Sequence, residues 1–99
     1  MKNEERILTL HPQGKKGVNI VLSKYLQVKQ AILESIEEKG VITFEDLGDT
    51  CIEKLTGKFD GKILWYVVSV KQDLEARGII ERIDKRSPQR LRLVSTKKS

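Results

Sequence analysis

The sequence predicts a mainly α-helical domain with one small β-hairpin, an α+β fold of three helices and a C-terminal hairpin. Three observations predict it. In three stretches apolar residues recur at three- and four-residue spacing, which lines each set along one face of a helix. Gly40 and Gly78 stand just beyond two of these stretches, where glycine favours a helix end. Residues 79–94, IIERIDKRSPQRLRLV, hold two strand-like runs around a turn containing Lys85, Arg86 and Pro88. In the second run Leu91 and Leu93 alternate with Arg90 and Arg92, so a strand buries leucines and turns arginines outward.

Residues 1–18 read as an N-terminal arm without a regular period. A short apolar run at 7–10 is broken by His11 and Pro12, and Gly14-Lys15-Lys16-Gly17 reads as a solvated turn. It lacks the frame of a P-loop, which needs Lys and Ser/Thr after its second glycine. The first helix is expected near 20–39, capped by Asn19 or Ser23, with Leu22, Tyr25, Val28, Ile32, Leu33 and Ile36 inward. A short strand at Val41-Ile42 follows, and Thr43 then caps a second helix near 44–55. Glu45 and Asp46 suit the positive end of that helix dipole.

The second helix carries Phe44, Leu47, Gly48, Cys51 and Leu55 inward and Asp46, Asp49 and Glu53 outward. Gly48 in the inner stripe implies that a neighbouring helix comes close. Residues 56–61 form a turn, and Asp60 is expected to cap a third helix near 62–77 with Ile63, Val67, Val70 and Leu74 inward. The expected core is Tyr25, Val28, Ile32, Ile36, Leu47, Cys51, Leu55, Ile63, Val67, Val70, Leu74, Ile80, Leu91 and Leu93. The outward face of the third helix is Trp65, Val68, Ser69, Gln72 and Ala76, without a charge. Residues 19–94 thus form the folded domain, and 95–99 a basic tail.

Ninety-nine residues, 38% of them hydrophobic, suffice for one domain with a modest core. No apolar run approaches the roughly 18 residues that span a bilayer, and the first residues, MKNEERILTLHPQ, lack the apolar segment of a signal peptide. A cytoplasmic protein without membrane contact is expected. The net charge of +5 is unevenly spread. Residues 84–99 hold Lys85, Arg86, Arg90, Arg92, Lys97 and Lys98 against Asp84 alone, whereas acids outnumber bases over residues 25–83. Such ends attract phosphate, and they also serve simply to keep a domain soluble.

The parts for catalysis are missing. Hydrolytic chemistry needs a nucleophile, a base and a group that orients them. The chain has one histidine, His11, beside Pro12, and one cysteine, Cys51, on a stripe that should be buried. Two distant soft ligands do not make a zinc site, and Asp46, Asp49 and Glu53 read as a solvated helix face. No enzyme activity, cofactor, metal or small-molecule substrate is expected.

The order helix, short strand, helix, turn, helix, hairpin resembles the winged helix-turn-helix domain over the last two-thirds of the chain. The segments GKKGVNI (14–20), WYVVSVKQDLEARGIIER (65–82) and PQRLRL (88–93) are similar to those of a small family of uncharacterised bacterial proteins. That resemblance implies a single compact domain and brings no activity with it.

Two binding functions compete. In the first, the domain associates with duplex DNA, as a transcriptional regulator does. Ser69 and Gln72 would face base edges, and Lys62, Lys85, Arg86, Arg90 and Arg92 would neutralise phosphates, with weak sequence selectivity. Against it stand the acids of the second helix, and Asp73 and Glu75 near the end of the third. In the second, Trp65, Val68 and Ala76 form a homodimer or protein interface without nucleic acid. Trp65 is expected to be covered, by the N-terminal arm or by a second copy of the chain.

Overall fold

The computed structural model describes residues 5–83 and 89–94. Three helices form the body of an α+β domain: α1 (Leu22–Lys39), α2 (Phe44–Leu55) and α3 (Ile63–Ala76). Five short strands accompany them, β1 (Arg6–Leu8), β2 (Asn19–Val21), β3 (Ile42–Thr43), β4 (Ile80–Arg82) and β5 (Arg90–Leu93). The strands make two antiparallel sheets, β1-β2 and β3-β5-β4.

The start of α1 differs from expectation. Val21 occupies the N-cap position with no side-chain bond, and Asn19 lies in β2 opposite Leu8. Neither Asn19 nor Ser23 caps the helix, since Asn19 lies two residues before the N-cap and Ser23 is already inside the first turn; the first amide, Leu22 N–H, donates instead to Glu5 O at 2.7 Å. The segment expected to be an irregular arm is therefore a hairpin held at the head of α1. Thr9 ties its two sides together, its N–H donating to Val18 O at 2.8 Å and its hydroxyl accepting from Val18 N–H at 2.9 Å. Gly17 permits this closeness, since a Cβ there would stand 1.8 Å from Thr9 O.

At its other end α1 stops at Gly40, which takes φ +80°. Thr43 then caps α2, its hydroxyl accepting from Asp46 N–H at 3.1 Å, as the sequence predicts. Gly48 meets α3 closely: a Cβ there would lie 3.2 Å from Leu64 Cδ1. The cap of α3 departs from expectation. Lys62 stands in the N-cap position without a side-chain bond. Asp60 sits two residues too early, and its carbonyl accepts from Lys24 Nζ at 2.7 Å.

The C-terminal hairpin pairs Ile80 with Leu93 and Glu81 with Arg92, and β5 reaches across to β3 through Ile42 and Leu91. Twelve of the expected core positions are buried, among them Val28, Ile32, Leu47, Val67, Leu74 and Leu91, and Ile20, Ala31 and Ile42 join them. Two expected positions fall short. Ile63, the first residue of α3, is only half-buried. Leu93 remains 36% exposed, because it lines an open cleft of about 500 Å³ with Leu33, Ile79 and Val94. Among the described residues no helix is long and apolar enough to cross a membrane.

Candidate nucleic-acid interface

α3 follows the exposed Lys62 at its N-cap and presents Trp65 at 48% exposure, while Val68, Ser69, Gln72 and Ala76 are half-buried along the helix. Trp65 rests edge-on against Tyr66, ring centroids 4.9 Å apart, and Tyr66 meets Phe59 in the same way at 5.0 Å. Lys24 Nζ lies 5.5 Å from the Tyr66 centroid and 5.6 Å from that of Phe59. The indole is thus packed on one side, and about half of the residue is exposed. The described part of the N-terminal segment lies elsewhere. That segment pairs at the head of α1, and its Leu10 N–H donates to Asp73, two helical turns beyond Trp65, at 2.8 Å.

Asp73 and Glu75 are not the exposed acids that the sequence suggests. Asp73 has no exposed surface. Its carboxylate accepts from Tyr25 Oη, from Arg77 Nε at 2.8 and 2.9 Å, and from the Leu10 amide. Burial, followed by the bond to Asp73, pushes the Tyr25 phenol up to about 12. The same carboxylate raises Arg77 above its ordinary value. Glu75 pairs with Lys71 at 2.8 Å, both side chains being nearly covered. Lys71 also donates to Gln89 Oε1 at 2.9 Å, and its ammonium stands 5.3 Å from the Phe44 ring centroid.

Both acids of α3 are thus matched by a neighbouring cation four residues away in sequence, and the helix presents little charge outward. The same bonds fix its surroundings: Asp73 holds the N-terminal hairpin, and Lys71 holds the start of β5. The signal available beforehand was the two opposite-charge pairs at i,i+4 spacing, Lys71 with Glu75 and Asp73 with Arg77. Their burial had no signal, because charged residues are so rarely buried.

β5 supplies the cationic half. Arg90 and Arg92 are exposed on either side of buried Leu91. Arg92 Nε reaches Glu81 Oε2 across the strand pair at 2.6 Å. Lys85 and Arg86 lie outside the described residues. The Lys71–Gln89 bond ties α3, which carries Ser69 and Gln72 and has Lys62 at its N-cap, to the residue before the arginine strand. On α2 the acids Asp46, Asp49 and Glu53 are exposed, as expected. Cys51 is fully buried, and burial raises its thiol to about 11, the reverse of an activated nucleophile.

A family model described as a family of unknown function, DUF6958, matches residues 6–91, from β1 to the buried leucine of β5. The chain belongs to DUF6958. The matched span takes in both the N-terminal hairpin and the Asp73 cluster, so in this DUF6958 domain the fold starts well before α1. No curated protein matches the chain.

Proposed function

We propose that this DUF6958 domain is a winged helix that associates with duplex DNA through the phosphate backbone, with weak sequence selectivity. The succession α1, β3, α2, α3, β4, β5, with β3 joined to β5, supports the winged-helix reading. In that docking mode α3 lies toward the major groove and the hairpin beside it meets flanking backbone. The observation that carries the reading is β5, which turns Arg90 and Arg92 to solvent while Leu91 anchors the strand.

The Arg92–Glu81 pair is exposed on both sides, and exposed pairs contribute only about 0–1 kcal/mol, so a phosphate can displace the carboxylate. Lys62 adds a cation at the start of α3, and Lys85 and Arg86 add two more by sequence. Glutamine can pair with adenine through two hydrogen bonds, but Gln72 and Ser69 are half-buried, and the other outward residues of α3, Trp65, Val68 and Ala76, carry no charge. Affinity then comes from the backbone, and sequence discrimination stays small.

Anisotropy titration of a fluorescent random duplex at low salt tests this. Arg90→Ala/Arg92→Ala should weaken binding several-fold, while Ser69→Ala/Gln72→Ala leaves it nearly unchanged. No binding by the wild type at low salt would overturn the reading.

A further inference from the structure

We infer, building on the backbone binding proposed above, that the hairpin of β1 and β2 acts as a second wing. Its Lys15 and Lys16 meet DNA phosphates on the flank of α3 opposite β5. The helix itself sets the two flanks. Lys71 and Asp73 are two residues apart, so at about 3.6 residues per turn they point about 200° apart around the axis. On one side between them Val67, Val70 and Leu74 are buried in the core. On the other side lie Trp65, Val68, Ser69, Gln72 and Ala76, none of them charged.

Each flank is tied to a hairpin. Lys71 donates to Gln89 Oε1 at 2.9 Å, directly before β5 with its Arg90 and Arg92. Asp73 accepts from the Leu10 amide at 2.8 Å, two residues beyond β1. The chain turns back just past that anchor. Gly14 takes φ +77° and its N–H donates to His11 O at 2.9 Å, while Thr9 N–H donates to Val18 O at 2.8 Å to close the hairpin. Lys15 and Lys16 sit on this turn, and both are exposed. Glu5 lies at the far end of the hairpin, where its carbonyl accepts from Leu22 N–H at 2.7 Å. An uncharged helix face with exposed cations on both flanks suits a duplex, whose phosphates line both edges of the groove that a helix enters. Neutralising phosphates from two sides needs no base contact, which fits weak selectivity.

Anisotropy titration of a random duplex over a range of salt concentrations tests the second wing. Lys15→Ala/Lys16→Ala keeps both glycines of the turn and should match the wild type by circular dichroism. It should weaken binding several-fold at low salt. It should also flatten the dependence of log K on log salt by about 1.8, two contacts at about 0.9 each. Combined with Arg90→Ala/Arg92→Ala the losses should add, because the two flanks act independently. Lys29→Ala/Lys39→Ala removes the same charge from α1 and should leave affinity close to that of the wild type. An equal loss in this α1 variant would overturn the proposal, since net charge alone would then account for the effect. A wild type that binds and responds to Arg90→Ala/Arg92→Ala, but not to Lys15→Ala/Lys16→Ala, would overturn the second wing alone. No binding by the wild type at low salt would overturn both readings.

Discussion

Tyr25 on α1, Arg77 just beyond α3 and the Leu10 amide all donate to one carboxylate, that of Asp73, which has no exposed surface. A buried carboxylate is tolerated only when its oxygens are well supplied with donors. Removing one donor leaves part of the cost uncompensated. Tyr25→Phe should therefore lower unfolding free energy by about 1–3 kcal/mol in urea denaturation. Stability should also depend on alkaline pH. The folded state holds Cys51 near 11 against an ordinary 9.0, and Tyr25 near 12 against 10.0. Both groups are neutral when folded and ionise more readily once unfolded. Their contribution is thus complete below about pH 9 and is lost as pH rises through 11 and then 12. Urea midpoints measured from pH 8 upward should be flat and then decline. Cys51→Ala should remove the earlier part of that decline.

At the scale of the element, helices were legible because their signal is long. Six inward residues on α1 fall along one helical stripe, and Thr43 with its acidic neighbours marks the start of α2. β1 has three residues, too few to show a period, and its partner β2 runs straight into α1. The expected caps Asn19 and Asp60 each lie two residues before the N-cap positions, Val21 and Lys62. A local cap rule does not foresee a distant backbone carbonyl, such as that of Glu5, meeting the first amide of a helix. Gly17 is where the N-terminal hairpin is most vulnerable. A methyl group there would have to displace Thr9 O from 1.8 Å, so Gly17→Ala should cost on the order of 2 kcal/mol. Hydrogen exchange checks this directly. The Thr9 and Val18 amides should lose protection in the variant, while those in the middle of α1 keep most of theirs.

For the whole molecule, the segregation of charge could be read from the sequence and its meaning could not. The sequence set Asp73 and Glu75 against DNA, whereas the fold matches each with a cation and thereby removes an objection. The acids of α2 stay exposed, and they lie beside an apolar groove between α2 and α3 rather than on the arginine strand. The hairpin pairing and the burial of Leu91 between exposed Arg90 and Arg92 were legible in the sequence, whereas Leu93, expected inward, is exposed. Bonds such as Lys71 to Gln89, which fix the hairpin against α3, join residues 18 apart in the chain and had no local signature. In the proposed function, Lys62, Lys85, Arg86, Arg90 and Arg92 hold duplex DNA by neutralising its phosphates. The dependence of log K on log salt tests it most directly. These five phosphate contacts alone predict a slope of about −4.5 for the wild type and about −2.7 for Arg90→Ala/Arg92→Ala, with similar values on unrelated duplex sequences. A wild-type slope near zero, or one that the two substitutions leave unchanged, would contradict it.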